Sequence, residues 1–205
     1  MKLAILISGR GSNMNAILTA IKQGQLPQVK PVLVLSSLPE AGGLVIAKEE
    51  FGVPTEVLDN DKLKGGGYDK ILMTLLQKYE IYPTDGLVCL AGFMRILSPE
   101  FVHLFKDRIL NIHPSLLPSF PGLHAQRQAI EYGVKISGCT VHFVDEGLDA
   151  GPIIIQKSTP IFSHDTEETL SDRILKDEHL IYPEAVKMIT ENRVKISGRT
   201  VEIRN

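Results

Sequence analysis

Leu3-Ala4-Ile5-Leu6-Ile7-Ser8-Gly9-Arg10-Gly11-Ser12-Asn13-Met14 is the stretch that decides how the rest of the chain is read. It opens on an apolar run of strand length with no polar face, as a strand covered on both sides requires. A two-glycine loop follows. Met14, Ile17, Leu18 and Ile21 then recur at spacings of three and four until Gly24, which puts them on one face of a helix. Strand, glycine loop and helix are the opening of a parallel, helix-covered sheet. Lys2 before an apolar run looks superficially like a leader peptide, but the run passes into residues 8–13 and not into a cleavage site.

The alternation continues outward from there. Residues 31–35 and 55–58 read as strands, 41–51 as a helix stopped by Gly52 and Pro54, and 69–79 as another helix. Leu87-Val88-Cys89-Leu90 lies in a fully buried strand over 86–91, and 108–113 is the next strand. Between them Ser98-Pro99-Glu100 supplies an N-cap, a proline at the first helical position and an early acid, so a helix starts there. The second half changes character. Residues 138–145 and 153–160 are strands joined by a short acidic turn, too short for a helical crossover, which predicts an antiparallel pair. A long helix starts near Thr166, with Asp165 and Glu168 spaced as a capping box, and Pro183 is expected to kink or end it. Residues 195–203 read as a terminal hairpin. The expected fold is α/β: a mostly parallel, mixed, twisted sheet of about seven strands with helices on both faces. No internal repeat is visible, and the one low-complexity tract is Gly65-Gly66-Gly67.

Composition narrows the function. A chain of 205 residues makes one domain, and Lys+Arg 22 against Asp+Glu 24 leaves a net charge of -2. That balance offers no bulk attraction to a polyanion, so nucleic acid and anionic membrane are disfavoured as partners. No apolar run approaches the roughly 20 residues that span a bilayer. Cys89 and Cys139 each sit in an apolar run and read as buried reduced thiols, as in a cytoplasmic protein. The histidines at 103, 113, 124, 142, 164 and 179 form no His-Glu-x-x-His and no Cys/His cluster, so no metal is expected. A Gly-x-Ser-x-Gly elbow is absent, and neither cysteine has an activating neighbour, which disfavours serine and thiol nucleophiles.

Three constellations carry chemistry. In residues 8–13 the glycines let backbone N–H groups turn inward at a helix N-terminus, a setting for a phosphate or carboxylate. No Gly-Lys-Ser/Thr is present, Met14 stands where a dinucleotide loop has its third glycine, and strand two ends in Ser36-Ser37 and not an acid. ATP and NAD are therefore poor ligands for this loop, and a phosphate monoester is better; a plain glycine turn is the other reading. Asn111 and His113 in Leu110-Asn111-Ile112-His113-Pro114 lie two apart in an extended segment and point the same way. Ligand crevices lie at such carboxyl ends of parallel strands. There an amide can donate to an oxyanion and an imidazole can relay a proton, though a histidine that only fastens the proline-rich loop has the same pattern. Asp149 in Asp145-Glu146-Gly147-Leu148-Asp149-Ala150-Gly151-Pro152 is followed by small residues that allow close backbone approach. Beside His113 its carboxylate would favour the imidazolium, but spacing does not show that pairing, and acid-rich, glycine-rich turns between strands are usually solvated.

These motifs, with Ala91-Gly92-Phe93-Met94-Arg95-Ile96-Leu97 and Asn111-Ile112-His113-Pro114-Ser115-Leu116-Leu117-Pro118, resemble in order and separation the folate-dependent formyltransferases of purine synthesis. The likeness runs from residue 2 to about residue 190. It implies a single Rossmann-like formyltransferase domain over 1–205, with a phosphate-binding half at about 1–100 and a catalytic and folate-binding half at about 101–205. It implies that 10-formyltetrahydrofolate, as co-substrate, gives its formyl group to the amine of glycinamide ribonucleotide, with no metal, NAD or ATP. Carried over by position, Gly11, Ser12 and Asn13 would hold the substrate phosphate and Glu178 the glycinamide end. Met94, Arg95, Ile96, Leu97 and Asn111 would bind the folate, and Asn111, His113 and Asp149 would form the catalytic set. The partners implied are small molecules, for a monomer or homodimer. Where the family often has a folate-contacting arginine this chain has Gly65, so either Lys62 or Lys64 supplies that charge or the folate tail is held less tightly. A formyltetrahydrofolate hydrolase shares the Asn-x-His and Asp but adds a regulatory domain, for which a chain opening on strand one is expected to have no room. A methionyl-tRNA formyltransferase would need a further C-terminal domain and a basic surface. A silent phosphate-binding module is the non-enzymatic alternative.

Overall fold

The computed structural model describes residues 1–59 and 67–204, so the expectations on Lys62, Lys64 and Gly65 lie outside the described residues. The chain divides into two compact units, Met1–Leu110 and Asn111–Asn205. The first carries β1 (Lys2–Ile7), α1 (Ser12–Lys22), β2 (Lys30–Ser36), α2 (Gly42–Phe51), β3 (Thr55–Val57), α3 (Gly67–Lys78), β4 (Gly86–Leu90) and α4 (Pro99–Leu104). β1 lies between β2 and β4 and pairs parallel with both, Leu6 opposite Leu35 on one side and Leu90 on the other. The residues of β1 from Leu3 to Ile7 are wholly buried. Each such side chain contributes about 1.5–3 kcal/mol on leaving water, which is why the opening apolar run becomes a central strand.

The chain passes into the second unit through β5 (Ile109–His113), followed by α5 (Ala125–Tyr132), β6 (Ile136–Phe143), β7 (Ile153–Pro160), α6 (Glu167–Thr190), β8 (Val194–Ser197) and β9 (Thr200–Ile203). Strand order in the main sheet is β3-β2-β1-β4-β5-β6-β7, and β8 and β9 form a separate two-stranded sheet, the expected hairpin. β6 and β7 run antiparallel, so the seven-stranded sheet is mixed as the short acidic turn predicts. α6 packs against both through a buried face that includes Leu170, Ile174, Ile181, Tyr182, Ala185 and Val186.

One helix is added to the expected elements, and two local expectations are corrected. α5 was not legible, because its stretch is polar and buries only Ala125 and Ala129. The box opening α6 is closed by Thr166 and Thr169: Thr166 Oγ1 accepts the Thr169 N–H at 3.2 Å, and Thr169 Oγ1 accepts the Thr166 N–H at 2.9 Å. Asp165 instead pairs with Arg173, Nη2 to Oδ1 at 2.6 Å. Pro183 does not end the helix, which runs through it to Thr190. An internal proline costs about 3 kcal/mol, and burying Ile181, Tyr182, Pro183, Ala185 and Val186 together offsets it.

Candidate active site

Asn111 and His113 project from the same face of β5, and both meet Asp149. The aspartate arrives on the β6–β7 turn in the left-handed region, φ 48. Just beyond it, a Cβ on Gly151 would lie 1.8 Å from the Phe143 carbonyl oxygen, so only glycine lets the turn close this tightly. Positive φ is costly for a residue with a side chain, and it persists here because the surrounding contacts over-determine it. The Gly122 N–H donates to Asp149 Oδ2 at 2.8 Å. His113 Nδ1 stands 3.3 Å from that same oxygen, an ion pair whenever the ring is protonated. The two side chains are only 6% and 11% exposed, so little water screens them.

The other ring nitrogen has a fixed task. His113 Nε2 lies 2.8 Å from the Phe120 carbonyl oxygen. A carbonyl only accepts, so Nε2 keeps its hydrogen and Nδ1 is the nitrogen left to exchange a proton. Phe120 aims that carbonyl from a left-handed conformation of its own, φ 54.

Sequence reasoning missed His142, which weighed only in the search for a metal cluster. It lies on β6, almost fully buried, with Nδ1 donating to the Phe143 carbonyl at 2.8 Å. Burial holds its pKa below the ordinary histidine value of 6.5 and keeps the ring neutral. Nε2 is then an acceptor, and Asn111 Nδ2 donates to it at 3.3 Å. Asn111 donates as well to Asp149 Oδ1 at 3.4 Å, and His142 Nε2 stands 3.8 Å from that oxygen. His142 thus fixes which way round the Asn111 amide sits. The signal in the sequence was a histidine inside the apolar run Val141-His142-Phe143, which must find a partner when buried.

In the first unit, Gly11 caps α1 in a left-handed conformation, φ 73, with no side-chain hydrogen bond and no acid in the first turn. Ser12 and Asn13 open the helix. By contrast, α4 and α6 are capped by the Ser98 and Thr166 side chains. A helix start with no side-chain cap and no acid in its first turn keeps its partial positive charge, a setting in which an anion can be held. A Cβ on Gly11 would sit 3.0 Å from Gly43 Cα, and the Gly43 N–H donates to the Gly9 carbonyl at 3.1 Å, so α2 packs its start against this loop. Met94–Leu97 follow β4. Met94 and Ile96 are 70% and 88% exposed, Leu97 is buried, and the Arg95 guanidinium lies 4.8 Å over the Tyr68 ring. Ser8 Oγ holds this segment by accepting the Met94 N–H at 2.8 Å. Apolar side chains left in water on a pinned segment suit a flat, largely apolar ligand. Glu178 is buried on α6 in the second unit. Burial, with the Glu178 and Asp177 charges, pushes the Cys139 thiol up to about 12, so this cysteine is no nucleophile. Among the described residues no group of three or more His, Cys, Asp and Glu side chains could hold a metal ion, and no helix is long and apolar enough to cross a membrane.

A strand-end Asn and His facing a turn-borne Asp, on a mixed α/β sheet, make a site that can donate to an oxyanion and relay a proton. Residues 1–186 match the formyl transferase family, and the chain belongs to that family. It is similar in particular to the phosphoribosylglycinamide formyltransferase of Escherichia coli (strain K12), 41% identical over 197 residues, covering 96% of this chain and 90% of that protein. The crystal structure of glycinamide ribonucleotide transformylase 1 from Symbiobacterium toebii superposes with a TM-score of 0.95 at 46% identity, covering 100% of this chain and 94% of that one. The Drosophila melanogaster trifunctional purine biosynthetic protein adenosine-3 is 45% identical over 198 residues, and this chain spans only 14% of its length.

Proposed function

We propose that this chain transfers the formyl group of 10-formyltetrahydrofolate to the amine of 5′-phosphoribosylglycinamide. The products are phosphoribosyl-N-formylglycinamide and tetrahydrofolate, a step of purine biosynthesis. The observation that carries the reading is His113, held by the Phe120 carbonyl at Nε2 and by Asp149 at Nδ1. The amine attacks the formyl carbon, a C–N bond forms, and the carbonyl oxygen becomes an oxyanion. The bond to the folate nitrogen then breaks, and the proton lost by the amine ends on that nitrogen. His113 Nδ1, paired with Asp149, moves the proton, and the imidazolium stabilises the oxyanion. Asn111 donates to the same oxyanion by exchanging one of its long contacts, 3.3 Å to His142 or 3.4 Å to Asp149, for a shorter charge-assisted bond. No covalent bond to the protein is needed.

Gly11, Ser12 and Asn13 hold the substrate phosphate in this reading. Glu178 holds the glycinamide end, and Met94, Arg95, Ile96 and Leu97, with Asn111, bind the folate. The first half of one formyltransferase domain serves the phosphate and the second the chemistry. The protein acts on small molecules in the cytoplasm as a monomer or homodimer, with formyl folate as co-substrate and no metal, NAD or ATP. The test is tetrahydrofolate release with and without the ribonucleotide. Release only with it is expected; release without it means a hydrolase, and no release means a binding module.

A further inference from the structure

The segment between His113 and Phe120 leaves the sheet, yet many of its polar groups are tied down by side chains from β6 and β7. Thr140, wholly buried on β6, donates its hydroxyl to the Ser115 carbonyl at 2.7 Å and accepts the Leu117 N–H at 3.1 Å. Gln156 on β7 spends one amide nitrogen on two acceptors, the Leu117 carbonyl and Thr140 Oγ1, both at 2.9 Å. Ser115, also wholly buried, donates to the Ser119 carbonyl at 2.5 Å. The Ser119 N–H closes a turn on the Leu116 carbonyl at 3.1 Å. Leu116 packs above Gly138, where a Cβ would come within 2.9 Å of its side chain. At the end of this framework stands the Phe120 carbonyl, in a conformation its side chain disfavours, accepting from His113 Nε2.

We infer that Gln156 and Thr140 are positioning residues for the reaction: they hold the 114–120 segment so that the Phe120 carbonyl keeps the hydrogen on His113 Nε2. Nothing about Gln156 on an exposed edge strand requires an amide for solubility, and its two short bonds go inward to the segment. Both nitrogen hydrogens point at atoms whose positions fix where Phe120 sits. Without them the strained Phe120 conformation loses its support, and the ring can put its single hydrogen on either nitrogen. Asp149 at Nδ1 would then draw that hydrogen away from Nε2, and the ring would lose the second anchor that orients it for proton transfer. Neither residue touches the reacting atoms, so their loss should lower turnover and leave substrate capture nearly intact.

The inference rests on the formyl-transfer reading, and the experiment separates the two. Gln156→Met keeps the length and removes the donors; Gln156→Glu keeps the shape and replaces donors by acceptors. Thr140→Val removes the hydroxyl, and Thr140→Ser restores it. Each is measured for kcat and KM with 10-formyltetrahydrofolate and 5′-phosphoribosylglycinamide, and the ring 15N resonances of His113 are recorded on the same samples. The expected result is a kcat lower by between about tenfold and a hundredfold in the first three variants, with both KM values within about twofold. Their His113 spectra should move from the Nε2–H form towards a mixture of tautomers, and Thr140→Ser should match the parent in both readouts. Parental kcat and parental ring spectra in Gln156→Met and Thr140→Val would overturn the inference. So would a loss in KM alone. If the parent transfers no formyl group, the functional reading fails, while the ring spectra still decide whether Gln156 and Thr140 set the tautomer.

Discussion

Asp149 is the residue on which the site converges: Gly122, Asn111, His113 and His142 all face its two oxygens. Asp149→Asn keeps one acceptor and removes the charge. Turnover should fall by roughly 10² or more, the scale of lost acid–base assistance, while ribonucleotide binding measured by calorimetry stays near the parent. Near-full turnover in that variant would remove Asp149 from the catalytic set. His142 predicts a pH effect. Its pKa is held below 6.5 by burial, against the smaller opposing pull of the Phe143 carbonyl and Asp149, with the His113 charge lowering it further. Above pH 6.5 both folded and unfolded chains carry it neutral. As pH falls below 6.5 the unfolded chain takes a proton that the folded one refuses, so this contribution to stability is present above the unfolded value and lost on the acid side. His142→Asn should therefore lose less stability than the parent between pH 8 and pH 5, read as urea midpoints. Parallel loss in both proteins would acquit His142. At this scale the sequence was partly legible: period two placed Asn111 beside His113, but Asp149 reaches them from the β6–β7 turn and His142 from β6.

At the scale of elements, helix starts carry the argument. Thr166 and Thr169 cap α6 reciprocally, and Asp165 beside the Arg173 guanidinium keeps its carboxyl well below the usual carboxylate range. Thr166→Ala should cost about 1 kcal/mol in chemical denaturation, with activity per folded molecule unchanged; a neutral substitution would show that the cap adds nothing to the packed face of α6. The start of α1 is different, because its cap is a glycine. Gly11→Val meets both a positive φ and the Gly43 backbone at 3.0 Å. It should weaken use of the ribonucleotide at least tenfold in kcat/KM and leave folate binding, assigned to Met94–Leu97, close to the parent. The dephosphorylated riboside should be a correspondingly poorer acceptor for the parent protein. Equal formylation of riboside and ribonucleotide would end the phosphate role of this loop. The glycine turn into α1 was readable because glycine has a positional meaning, whereas the structure shows that Gly11 itself is the cap. The α6 cap was misassigned because several acceptors sit in one turn, and spacing does not rank them.

For the whole molecule, both cysteines are buried thiols outside any disulfide, as their apolar runs predict. A thiol reagent should find neither Cys89 nor Cys139 at neutral pH until the protein unfolds, then titrate both; fast labelling in native buffer would contradict the burial of β4 and β6. By itself the sequence determined the α/β class, the antiparallel turn to β7, the terminal hairpin and the identity of Asn111 and His113 as neighbours. Those follow from periods of two and 3.6 residues, from loop length and from turn chemistry, all of which are local. Only the tertiary structure decided that Asp149 meets His113, that His142 orients Asn111, and that Gln156 and Thr140 hold the Phe120 carbonyl. Each of those contacts joins residues from different strands or loops. Its existence depends on register, on the close approach that Gly151 permits, and on burial that leaves a polar group no other partner.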